Sequence, residues 1–205
     1  TTGSGRQFRN MPALGGNAFH NAPVVLELME ERARRLCMGR VAFIIANQGF
    51  RDEEYTVPRD RLEAAGHSVV TASTATGPAT GKLGMVTEVD LALPDLDVHD
   101  FAAIVCIGGP GSPQFWDDHL VHDLLREALR EGLVLGGICS AAVTLAKAGV
   151  LAGRRATVWP GDGEILAPLV GTYTAAECEV DGRCITANGP TAAAAFGDAL
   201  VAALV

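Results

Sequence analysis

The chain reads as an α/β domain: a three-layer sandwich in which a mostly parallel, doubly wound sheet carries helices on both faces. Three observations support this. Short apolar runs rich in β-branched residues alternate with helical stretches from residue 40 onward, several of those runs are apolar on both faces, and glycine-rich corners follow them. The 205 residues with 48% hydrophobic content suffice for one substantial core.

VAFIIA (41–46), HSVVTAS (67–73), AAIVCI (102–107) and LVLGGI (133–138) are the strand candidates. A helix is expected from about Glu53 to Ala65, closed by Gly66. Pro58 is expected to loosen it beside Glu54, because proline has no N–H for the carbonyl four residues back. The segment 76–100 reads as turns around one short strand. Residues 116–131 give the clearest helix, with Trp116, Leu120, Val121, Leu124, Leu125, Ala128 and Leu129 on one face and Gly132 as its stop. SAAVTLAKAG (140–149) is almost uncharged and reads as a buried helix. AECEV and RCITA flank Asp181-Gly182, a strong hairpin signal, and Pro190 opens a final Ala-rich helix. Residues 1–22 are expected to form a flexible arm, residues 23–38 an extra amphipathic helix, and residues 39–205 the single α/β domain.

Charge and cysteine usage narrow the function. Twenty-four acidic residues against 16 basic give a net charge of -8, which disfavours nucleic acid as a partner. Cys37, Cys106, Cys139, Cys178 and Cys184 form an odd, scattered set without a CxxC pair, so neither a disulfide framework nor a metal site is expected. No apolar run reaches the roughly 18 to 20 residues of a spanning helix. The expectation is a cytoplasmic protein without membrane partner, cofactor or metal. Surplus apolar helix face points to a homodimer.

In a parallel sheet, ligands gather at the carboxyl ends of the strands. Three corners lie there: residues 49–54, Gly108-Gly109-Pro110-Gly111, and the junction Gly136-Gly137-Ile138-Cys139-Ser140. At the third, strand passes into helix with no room for a loop, and small neighbours keep a cysteine at the apex uncrowded, the logic of a nucleophile elbow. Cys139 is expected to be exposed at a helix N-terminus, where the aligned N–H groups favour its thiolate and bring such thiols to about 3.5 to 7.5. Glu54 falls in the first helical turn near the same edge; Asp52 reads as an N-cap and Glu53 as solvated. None of His20, His67, His99, His119 and His122 falls on the elbow, and His119 and His122 are expected at the surface.

IANQGFRDEEYTVPRDRLEAAGHSV, TGKLG with VDLAL, AAIVCIGGPG, GGICSAAVTLAKAGVLAGRRATVWPG and EVDGRCITANGP together resemble the ThiJ/PfpI superfamily. The resemblance spans about residues 40–205 and implies a flavodoxin-like sheet, related to the class I glutamine amidotransferases. It makes Cys139 the nucleophile, Glu54 the acid against its sulfur, and Gly109 and Ser140 the backbone donors of an oxyanion hole. Gly108, Trp159, Asn188 and Gly189 would line the substrate pocket. Two departures stand out: Ser140 occupies the place of the His that follows the cysteine in PfpI-type proteases, and Trp159 the place of the His in the deglycase group. The resemblance implies cofactor-independent hydrolysis or hydration of a small electrophile, glyoxalase-, deglycase- or hydratase-like. A cysteine-based oxidative-stress sensor or chaperone-like protein, a non-catalytic relative and a PfpI-type protease or amidase are the alternatives, the last disfavoured without a His after Cys139.

Overall fold

The computed structural model describes residues 39–205. The arm and helix expected within residues 1–38 lie outside the described residues.

Seven strands form the main sheet in the order β11-β12-β8-β7-β1-β3-β6. They are β1 (Arg40–Ile44), β3 (Ser68–Ser73), β6 (Leu91–Ala92), β7 (Ala103–Cys106), β8 (Val134–Ile138), β11 (Cys178–Asp181) and β12 (Cys184–Ala187). All neighbours pair in parallel except β11, which turns back on β12 at Asp181-Gly182, with Gly182 at φ 61° as that tight turn requires. The main helices are α1 (Asp52–Ala64), α2 (His119–Arg130), α3 (Ala142–Lys147), the short α4 (Gly163–Leu166) and α5 (Ala193–Ala203).

Strand periodicity explains the layering. In and just beyond β1, Val41, Phe43 and Ile45 enter one core with Tyr55 and Leu62 of α1 and Phe196 and Leu200 of α5. Ala42, Ile44 and Ala46 enter the opposite core with Val121, Leu125 and Ala128 of α2 and Val143 and Leu145 of α3. A side-chain period of two therefore serves both faces, which is why these strands are apolar throughout. Each fully buried Phe, Leu or Ile contributes roughly 1.5–3 kcal/mol through the hydrophobic effect. The result is the flavodoxin-like α/β fold.

Several elements differ from the sequence reading. Segment 76–100 contains β4 (Gly77–Gly81), β5 (Val86–Val89) and β6, followed by two 3-10 turns; β4 and β5 form a small sheet with β2 (Gln48–Phe50). A further small sheet pairs β9 (Arg155–Ala156) with β10 (Thr172–Tyr173). The expected 140–149 helix shortens to α3, preceded by a 3-10 turn over Cys139–Ala141. Residues 116–118 precede α2, where the Asp118 side chain accepts from Val121 N at 3.1 Å, and Leu120 is 40% exposed instead of facing the core. Pro190 opens a 3-10 turn ahead of α5. Helix α1 runs unbroken through Pro58.

Asp52 is not the N-cap of α1 but its first residue, and Arg51 stands at the cap. The Asp52 carboxylate instead accepts the backbone N–H groups of Leu83 and Met85 at 2.8 and 2.9 Å, tying the β4–β5 turn to the helix start. Glu53 is not simply solvated either, since it forms a two-pronged pair with Arg51, 2.7 Å at its shorter contact.

Gly136 of β8 illustrates how closely the α5 face is packed. A Cβ there would lie 3.0 Å from Phe196 Cζ and 3.1 Å from both Val105 methyls. Gly136→Ala should therefore lower unfolding free energy by about 1–3 kcal/mol, read from denaturant midpoints. A midpoint equal to wild type would contradict this packing.

Candidate active site

The order of the strands places a switch point between β1 and β7, because the chain leaves β1 toward β3 on one side and reaches β7 and β8 on the other. Crevices at such points open beyond the carboxyl ends of the strands. Glu54 follows β1 and β2, Gly108 and Gly109 follow β7, and Cys139 follows β8. The topology alone brings three distant segments to one edge.

Cys139 has φ 58°, a left-handed conformation that costs a non-glycine residue roughly 1–2 kcal/mol. The turn is forced by the direct passage from β8 into the 3-10 turn, with extended Ile138 immediately before it. Strain of this kind, held by the surrounding fold, marks sites where a side chain must be aimed. Cys139 is recessed, however: it is 8% exposed and belongs to the α1/α5 core, whereas the sequence pointed to an exposed position.

Gly108 is where the acid and the cysteine meet. A Cβ on Gly108 would lie 2.5 Å from Glu54 Oε2 and 2.6 Å from Cys139 Cβ. Only a residue without a side chain lets both groups approach the same backbone. The corner itself is pinned, since Arg51 N donates to Gly108 O at 2.9 Å, and Ser112 donates to Gly109 O from both its N (3.0 Å) and Oγ (2.9 Å). Gly109, at φ 109°, packs so closely on Gly49 and Arg51 that a Cβ would sit 2.5 Å from the Gly49 carbonyl oxygen. So held, the Gly109 N–H and the Ser140 N–H both act on the Cys139 sulfur.

The electrostatics of this pair differ from a cysteine at a simple helix terminus. Burial pushes the Cys139 thiol up to about 12, a Glu54 carboxylate adds repulsion, and the Ser140 and Gly109 N–H groups pull the other way. The depressed thiol expected from the sequence is opposed by this burial and by the charge of a Glu54 carboxylate. Glu54 is fully buried, and burial raises its carboxyl to about 7 against smaller opposing effects from Cys139, Arg51 and the Gly108 N–H. Neither Glu54 oxygen has a partner that meets full hydrogen-bond geometry. Two groups in contact titrate as a unit, and a neutral Glu54 removes the repulsion felt by the sulfur.

Ser140 is fixed at two points: its carbonyl accepts Trp116 Nε1 at 3.0 Å, and its hydroxyl donates to Asp162 Oδ2 at 2.5 Å. Asp162 N donates to Trp159 O at 2.8 Å, so the elbow is tied to the loop that carries Trp159. The Trp159 ring is 46% exposed and lies across Gly189, where a Cβ would come within 3.1 Å of it. Asn188 is half-buried beside it, its N–H donating to Glu177 O at 3.0 Å.

None of the four described histidines is hydrogen-bonded to Cys139 or Glu54. His99 pairs with Asp97, and His119 is exposed, but His122 is buried and not at the surface as expected: its Nε2 lies 2.9 Å from Trp116 O. No local pattern in the sequence links Asp162 to Ser140, 22 residues away. Among the described residues no cluster of three or more His, Cys, Asp or Glu is arranged to hold a metal ion, and no helix is long and apolar enough to cross a membrane.

A strained cysteine elbow at the switch point of a flavodoxin-like sheet, with a buried carboxyl against it, defines a class of α/β proteins built around one thiol. The chain belongs to the DJ-1/PfpI family, whose sequence pattern matches residues 39–203. It is 35% identical over 170 residues to an uncharacterized protein of Methanocaldococcus jannaschii, covering 82% of this chain and 83% of that one. A deglycase of Pyrococcus abyssi is 33% identical over 74% of this chain and 90% of its own length. The crystal structure of a ThiJ/PfpI domain protein from Brachyspira murdochii superposes with a TM-score of 0.79 at 32% identity, covering 80% of this chain and 95% of that one.

The raised Glu54 carboxyl carries a stability consequence. A carboxyl whose folded value lies above its unfolded one contributes stability that is present below about 4.5 and lost as pH rises through about 7. The interval of 2.5 units corresponds to about 3 kcal/mol. Wild type should lose that much more stability than Glu54→Gln between pH 4 and pH 8 in denaturant titrations. Parallel stability profiles for the two proteins would contradict it.

Proposed function

We propose that the protein is a cofactor-independent hydrolase of small reactive carbonyls, with Cys139 as nucleophile and Glu54 as the acid that keeps its proton beside the sulfur. The observation that carries this reading is the convergence of Glu54 and Cys139 on Gly108, with the Gly109 and Ser140 N–H groups acting on the sulfur. Two anions in a desolvated site repel, so the singly charged pair places its charge where donors are available. The Ser140 and Gly109 N–H groups lower the Cys139 thiol, and the sulfur can accept the carboxyl O–H; neither Glu54 oxygen has a partner of full hydrogen-bond geometry. A neutral carboxyl held against a thiolate is the arrangement used when an acid must donate at neutral pH.

With a 2-oxoaldehyde, the sulfur adds to the aldehyde carbon, the C=O π pair moves to oxygen, and Glu54 supplies the proton that yields a hemithioacetal. Glu54, now a carboxylate, removes the C1 hydrogen as a proton, and protonation at C2 completes an internal transfer that oxidises C1 and reduces C2. The product on sulfur is a thioester of a 2-hydroxy acid, which water cleaves to free acid and thiol. No outside oxidant or reductant enters the balance. The deglycase name of the Pyrococcus abyssi relative supports carbonyl adducts as the substrate class. Peptide hydrolysis has less support, because none of the described histidines is hydrogen-bonded at the site to serve as acid for a leaving amine.

Wild type should consume methylglyoxal with formation of lactate, Cys139→Ala should abolish the activity, and Glu54→Gln should lower it about 10²-fold or more, since general acid–base catalysis contributes about that much. Equal consumption by wild type and Cys139→Ala would overturn the reading.

A further inference from the structure

We propose that Ser140 and Asp162 form a hydroxyl–carboxylate relay that takes the proton of the hydrolytic water, the work that neither usual histidine is present to do. The proposal deepens the reading of Cys139 as a nucleophile and rests on it. Its basis is the direction of one hydrogen bond. The Ser140 hydroxyl spends its only proton on Asp162 Oδ2 at 2.5 Å, a short O–H···O⁻ contact of the charge-assisted kind. The lone pairs of Oγ are then its remaining capacity, on the residue immediately after the nucleophile. The Ser140 backbone is held in place by Trp116 Nε1, which donates to its carbonyl. Asp162 is half-buried and its backbone is anchored to Trp159 O, so the carboxylate is presented by a fixed loop.

The step balances without another reagent. Water oxygen bonds to the thioester carbon, the C=O π pair moves to oxygen, the water proton passes to Ser140 Oγ, and the Ser140 proton passes to Asp162. Collapse of the tetrahedral species re-forms C=O and breaks the C–S bond, with the electron pair leaving on sulfur. The proton held by Asp162 returns through the same hydroxyl to the site. Ser140 touches the water and is the catalytic member of the relay; Asp162 acts through it and is a positioning residue. Formation of the adduct on Cys139 needs neither.

Asp162→Asn tests this, because the amide keeps the size of the side chain and can still accept the Ser140 hydroxyl but cannot hold its proton. In rapid mixing with methylglyoxal, the variant should consume about one equivalent per enzyme at the wild-type rate and then turn over about 10²-fold more slowly, with the adduct on Cys139 visible by intact mass. Ser140→Ala should give the same split between first and later turnovers, and Asp162→Glu should restore part of the steady-state rate. Unchanged steady-state turnover in both Asp162→Asn and Ser140→Ala would overturn the relay. So would an equal fall of the first and later turnovers in both, which is what mere loosening of the loop produces. Consumption by Cys139→Ala at the wild-type rate would instead remove the nucleophile reading itself.

Discussion

A carboxyl and a thiol share one desolvated corner, and that contact governs the rest of the site. Neither Glu54 nor Cys139 can ionise in that corner without cost, since burial raises both groups. The fold makes the contact possible by leaving Gly108 bare between them and by turning Cys139 into a left-handed conformation at the end of β8. Each of these devices costs stability on its own. Together they leave a sulfur whose charge is governed by the proton on its neighbour, with the backbone N–H groups of Gly109 and Ser140 ready for negative charge.

The surrounding architecture keeps that corner rigid. The Gly108 and Gly109 carbonyls are both committed to hydrogen bonds, the Asp52 carboxylate locks the β4–β5 turn onto the start of the helix that carries Glu54, and Trp116 holds the Ser140 carbonyl. Preorganised donors act without reorganisation at the moment charge develops beside them. On the residue immediately after Cys139, the Ser140 hydroxyl is linked to Asp162 at 2.5 Å.

Much of this was legible before the structure because it follows from period and spacing. The apolar runs that became β1, β7 and β8 had to be central, since residues such as Phe43 and Ile44 point into opposite cores. The direct passage from strand to helix at Cys139, the first-turn position of Glu54 and the Asp181-Gly182 hairpin also followed from local rules. What escaped depends on tertiary partners. The short strands within 76–100 pair with distant β2 and β3 and carry little periodic signal. His122 looks polar along its helix, yet it is buried because Trp116 O meets its ring nitrogen. The recess of Cys139 is set by how α1 and α5 close over the sheet, and the raised thiol follows from that recess.

The most direct test of the shared proton is the pH dependence of Cys139 alkylation by iodoacetamide, followed by mass in wild type and Glu54→Gln. If the neutral carboxyl sustains the thiolate, wild type alkylates at least about tenfold faster than Glu54→Gln below pH 7, and the advantage shrinks as pH rises through about 7, where Glu54 ionises. If Glu54 acts only as a buried anion repelling the sulfur, the order reverses, and Glu54→Gln alkylates faster than wild type at neutral pH; that result would contradict the account.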